Sequence, residues 1–166
     1  MNLVRQHTDY AFRLLVALSQ APGKPISTRT LASAADVPYQ FASKIMQKLH
    51  EEGLVESVMG PFGGFRLVQP SEQVNLLKII EAVQGPVVIN SCLLGQEACP
   101  RSTICPIRTR LEALQTMMID YLQSVTLADL TTGRLKASKN AKEKRKEGDK
   151  NERQKFSQSG NSGKSS

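Results

Sequence analysis

The chain runs to 166 residues, with 22 Lys or Arg against 15 Asp or Glu and three cysteines. That length suits one domain with an extension, no stretch approaches the roughly 20 consecutive apolar residues of a membrane span, and three thiols cannot all pair into a disulfide framework. The expectation is a cytoplasmic protein with no membrane partner, its cysteines kept reduced, and MNLVRQHTDYAFRLL reads as no secretory leader.

HTDYAFRLLVALSQAPGK reads as the first helix, because Ala11, Leu14, Leu15 and Leu18 follow the i, i+3, i+4, i+7 spacing of one apolar face. Thr8 is the expected N-cap, Asp9 falls in the first turn, and Pro22-Gly23 ends the element. In ISTRTLASAADVPYQFASKIMQKLHEEG a short helix is expected from a cap at Ser27 or Thr28 to Ala34, followed by a tight turn at Asp36-Val37-Pro38. A longer helix comes next, anchored by Phe41, Ile45 and Leu49 one turn apart. Gly53 stops it, where a left-handed residue is wanted.

LVESVMGPFGGFRLV predicts a β-hairpin, its arms at 54–58 and 65–68 joined through Gly60, Pro61, Gly63 and Gly64. NLLKIIEAVQG is a further amphipathic helix, ended by Gly85-Pro86. All three cysteines then fall within NSCLLGQEACPRSTICPIR, as Cys92, Cys99 and Cys105. Beyond them Ile107, Leu111, Leu114, Met118, Tyr121 and Val125 step by alternating fours and threes, the seam of one long helix that must bury its stripe. The charge excess lies wholly in the tail: residues 134–166 hold 11 Lys or Arg against 4 Asp or Glu, whereas residues 1–133 hold 11 of each. That tail has too few apolar side chains to offset its ordering entropy, so it is expected to be disordered, either a solubilising segment or one whose lysines add nonspecific phosphate affinity.

Helix, tight turn, helix and hairpin follow the order of a winged helix-turn-helix. The fold expected is mainly α with a small β-hairpin: a DNA-binding winged region over 1–85, a cysteine loop over 86–106, a dimerisation helix over 107–132 and the basic tail over 133–166. The second helix of such a unit buries one face and offers polar groups from the other to the major groove. Gln40, Ser43, Lys44 and Gln47 lie off its apolar anchor and are candidates for base edges, Lys48 for a phosphate, and Tyr39 for backbone or a thymine methyl. Arg66 is the cation nearest the hairpin tip. A generic helical hairpin with a solvated outer face is the competing reading, and the glycine-rich tip favours the wing. A two-fold dimer would set two recognition helices about one DNA turn apart on a palindromic operator.

Clustered thiols in a reducing compartment serve zinc, an iron–sulfur cluster, or a thiol switch. Zinc favours close C-x2-C pairs, absent from this chain. Clusters accept wider, loop-borne spacing, and a switch needs one reactive thiol and one resolving partner. No phosphate loop, Cys–His pair or paired carboxylates suggest an enzyme, and His50, near the end of the recognition helix, is expected to be solvated.

TDYAFRLL, the helix pair, GPFGGFRL, the three-cysteine loop and the long helix, in that order, resemble the Rrf2 family of bacterial winged-helix regulators over residues 1 to about 131. The family includes the IscR, NsrR and RirA groups. The resemblance implies a DNA-binding regulator, a repressor by expectation, whose operator affinity follows an iron–sulfur cluster sensing nitric oxide, iron or redox state, with Cys92, Cys99 and Cys105 as metal ligands. A cluster commonly takes four ligands. In the IscR group a histidine three residues after the third cysteine is the fourth, and that position is Arg108 here, which cannot coordinate iron. The NsrR-like alternative is an aspartate of the first helix, which is Asp9, reaching in from the partner subunit; His7 and Glu97 are lesser candidates. Three thiolates and an oxygen resemble a 4Fe-4S more than a 2Fe-2S arrangement. Two departures touch DNA: Met59 stands where relatives carry a basic residue before the wing glycine, and Ser43 aligns with an acidic residue of the IscR recognition helix. A cluster-free thiol regulator of the same fold and a cluster-bearing protein adapter are the alternatives.

Overall fold

A computed structural model describes residues 4–95, 101 and 104–132. Their elements, in order, are α1 (Gln6–Ser19), α2 (Thr28–Ala34), α3 (Tyr39–Glu51), β1 (Val55–Val58), β2 (Gly64–Leu67), α4 (Leu76–Gln84), α5 (Pro106–Ser124) and α6 (Leu127–Thr132). Short 3-10 turns occupy Ser71–Gln73 and Ser91–Leu93. The fold is mainly helical with one antiparallel hairpin, pairing Val55 with Leu67 and Val58 with Gly64, and it is a winged helix-turn-helix.

The main core follows the α1 periodicity. Ala11, Leu14, Leu15 and Leu18 are buried against Leu31 of α2, Met46 and Leu49 of α3, Val55, Ile79 of α4 and Leu127 of α6. Ser27 caps α2 by accepting the Thr30 amide at 3.2 Å. Gly53 takes φ 70 just past α3, the left-handed conformation that lets the chain turn straight into β1. A second cluster, Leu77, Ile80, Val87 and Leu122, joins α4 to α5, with Met118 and Ile119 packed on it.

Three expectations change. The first concerns Thr8, which is no cap: α1 starts at Gln6 after Arg5, and Thr8 is fully buried with its hydroxyl donating to Gln84 Oε1 at 2.8 Å. An outward-facing cap would have left that contact unmade. Second, the buried face of α3 is Ala42, Ile45, Met46 and Leu49. Phe41 is 39% exposed and lies across the start of α1, its ring centroid 5.5 Å from His7 and 5.8 Å from Tyr10. The small Ala42 takes the inward position, which a phenylalanine would overfill. Third, the single helix over 107–132 breaks at Val125-Thr126. Val125 is extended, its carbonyl accepts the Leu76 amide at 3.0 Å, and Leu127 N–H reaches Val74 at 2.8 Å. Asp129 Oδ2 accepts from the Thr126 amide at 3.0 Å and from its hydroxyl at 2.8 Å, while Thr126 Oγ1 receives the Asp129 amide at 3.3 Å. That reciprocal box starts α6 as a new helix.

Candidate functional site

The turn between α2 and α3 holds Asp36 at φ 52 and Val37 buried, so α3 leaves at a fixed angle with its polar side outward. Along that side Tyr39, Gln40, Lys44, Gln47 and Lys48 are exposed and Ser43 is half-buried. They form one continuous surface, as their spacing requires. Arg29 of α2 extends it: its guanidinium lies 5.8 Å from the Tyr39 ring centroid. Arg29 and Tyr39 border an open cleft of about 760 Å³ with Tyr10, Ser33 and Asp36. Sequence reasoning missed Arg29, although it stands two residues after the Ser27 cap, on the first turn of a helix leading into the reader.

The hairpin is fixed to this unit at its base. His50 is exposed but not simply solvated, because its Nδ1 lies 3.0 Å from the Val55 carbonyl oxygen and its ring meets Phe65 at 6.3 Å. Ile26, ahead of α2, exchanges both backbone hydrogen bonds with Phe65 at 2.9 Å. Arg66 stands directly opposite Glu56 in the register and donates to its carboxylate at 2.7 Å. The one wing cation thus already has a counter-charge.

Cys92 lies in the turn Ser91–Leu93, its amide toward Asn90 Oδ1, and Cys105 is the residue immediately before α5, followed by Pro106 in the first turn. Both thiols are half-buried and free of disulfides. Cys99, the third expected ligand, and Glu97 lie outside the described residues. Among the described residues no three His, Cys, Asp or Glu side chains converge as a metal site. Asp9 is half-exposed and forms an i, i+4 ion pair with Arg13 at 2.8 Å. Arg108 is no ligand. Its side chain, 13% exposed, donates to Glu112 at 2.7 Å and from Nη1 to the Gly95 carbonyl at 3.4 Å. One heptad along α5, the Gln115 amide donates to the Val87 carbonyl and accepts the Ile89 N–H at 2.9 Å. Two side chains of α5 therefore hold the segment that carries Cys92. The soft thiols of Cys92 and Cys105, the first on a segment tied to α5 and the second at the start of that helix, suit an iron–sulfur group chemically.

The Rrf2 family model, described as an iron-dependent transcriptional regulator, matches residues 4–133. A putative HTH-type transcriptional regulator of Haemophilus influenzae is 33% identical over 114 residues, covering 69% of this chain and 75% of its own. The HTH-type transcriptional repressor NsrR of Streptomyces coelicolor is 30% identical over 125 residues, covering 74% and 84%. Among solved structures, CymR, the global cysteine regulator of B. subtilis, superposes with a TM-score of 0.63 at 21% identity over 81% of this chain and 99% of that one.

Proposed function

The chain belongs to the Rrf2 family of transcriptional regulators, and from that premise we propose that it is a dimeric repressor whose grip on an operator is set by an iron–sulfur cluster bound at Cys92, Cys99 and Cys105. The single observation that carries the sensing half is the double tie of α5, through Arg108 and Gln115, to the segment bearing Cys92. A cluster held there supplies reactivity toward nitric oxide, oxidants or iron shortage. The remaining work falls to the chain. Cys92, Cys99 and Cys105 would hold the cluster through their thiolates. Asp9 of the partner subunit would be the fourth ligand once free of Arg13, and three thiolates with one oxygen would resemble a 4Fe-4S more than a 2Fe-2S set. Gln84 joins the end of α4 to the start of α1 through Thr8 and the Arg5 amide. A change in the loop thereby has a route to the helix that packs on α3. A coupling of about 1–3 kcal/mol gives a 5–150-fold change in affinity.

Support for the DNA half is the outer face of α3, Tyr39, Gln40, Ser43, Lys44, Gln47 and Lys48, to which Arg29 is added. Arg66 contributes to phosphate contact only by leaving Glu56. Dimerisation draws on the outer stripe of α5, where Ile107, Leu114, Met117 and Tyr121 are all exposed.

Anaerobic purification followed by iron and sulfide analysis tests the sensing half. Cys→Ala at 92, 99 or 105 is expected to abolish metal and sulfide retention. Arg108→Ala keeps full loading, because it donates no ligand, but yields the metal to a chelator faster. Retention of iron and sulfide by all three cysteine variants overturns the cluster reading and leaves the cluster-free thiol regulator. A gel shift on the upstream region of its own gene separates either regulator from a protein adapter.

A further inference from the structure

The wing tip carries the two most exposed large apolar side chains among the described residues, Met59 at 97% and Phe62 at 91%. They are not the loose end of a mobile loop. Gly63 N–H bonds the Gly60 carbonyl at 2.9 Å. A Cβ on Gly63 would meet the Val58 carbonyl oxygen at 2.2 Å, and one on Gly64 would meet the Ile26 carbonyl oxygen at 2.2 Å. The glycines let the tip fold flat against its own base, and the Ile26–Phe65 bridge anchors that base to the unit carrying α3. Two apolar groups are thus held outward at a fixed place, one step along the chain from the groove reader. The tip itself, residues 59–64, carries no charge, and Arg66 behind it is already paired with Glu56 at 2.7 Å.

We propose that the wing enters the minor groove of the operator as an apolar wedge, Phe62 and Met59 packing on the sugars and on the edge of one base step. This rests on the DNA-binding reading and adds to it a way of selecting sequence. A slim apolar wedge in the minor groove partly unstacks the step it touches. Pyrimidine–purine steps yield to this most readily, so the wing favours TA or CA steps without a hydrogen bond to any base. Neither side chain can neutralise a phosphate, so the wedge adds nothing to the salt dependence of binding.

The experiment uses the full chain, prepared anaerobically, and a duplex it selects from a random-sequence pool, with 2-aminopurine placed at pyrimidine–purine steps. The Met59→Ala/Phe62→Ala double variant is expected to bind about 10–100-fold more weakly, to lose the 2-aminopurine fluorescence rise, and to keep the salt slope of the unaltered chain. Met59→Arg adds a phosphate partner and steepens that slope by about 0.9. Unchanged affinity and unchanged fluorescence in the double variant overturn the wedge, while DNA binding stands. If the unaltered chain enriches no duplex, the DNA-binding reading fails, and the wedge with it.

Discussion

Thr8 shows what a single buried hydroxyl does in this fold. It lies in the first turn of α1 but bonds Gln84, 76 positions away, so it joins two helices where a cap would have finished one. Thr8→Val keeps the shape and removes the bond, and it should cost about 1 kcal/mol, read as a lower urea midpoint at unchanged m-value. A larger loss would mean that the methyl cannot occupy the site. The residue alphabet alone could not assign Thr8 this way, because a threonine ahead of an apolar run has the same pattern whether it caps or bridges. Phe41 was misread for a related reason. Its spacing from Ile45 and Leu49 is helical, yet so is that of Ala42, Ile45, Met46 and Leu49, and only the closeness of the neighbouring helices decides which set faces inward. By contrast Ser27, Gly53 and the hairpin glycines were legible, because their roles depend on local backbone geometry.

At the scale of elements, α5 has two different apolar faces that its heptad pattern merges into one. Met118 packs on the cluster of Leu77, Ile80, Val87 and Leu122, whereas Ile107, Leu114 and Tyr121 remain outside. The distinction gives opposite outcomes. Leu114→Asp should leave folding intact and shift the chain to monomer in sedimentation velocity. Met118→Ala should leave association intact and cost about 2–3 kcal/mol of stability. A dimer that survives Leu114→Asp together with Tyr121→Asp removes α5 as the contact. The break before α6 was readable in principle: Thr126 and Asp129 stand at the spacing of a capping box. The continuing apolar rhythm through Val125 masked it. Cys92 and Cys105 were found by composition, but the side chains that position their segment, Arg108 and Gln115, carry no sequence signal beyond a shared heptad register.

For the whole molecule, the last described helix completes the first. Leu127 is fully buried in the core beside Leu14 and Leu18, and the Thr131 hydroxyl lies 3.0 Å from that of Ser19. A chain ending at Thr132 should therefore unfold cooperatively with stability close to that of the full length. It should also show a shallower salt dependence on random DNA, because it lacks the lysines of 134–166. A chain ending at Ser124 loses Leu127 and the Val74 backbone bond, and it should expose enough of α1 to bind a hydrophobic dye. Equal stability of the two truncations would contradict this closure. The same seam sets an order during synthesis on the ribosome. The groove-reading half is translated first but cannot finish packing until residue 127 has left the exit tunnel, by which time every cysteine of the loop has already been made. A premature stop ahead of α6 is therefore expected to leave the core around α1 incomplete even though the whole winged region has been made.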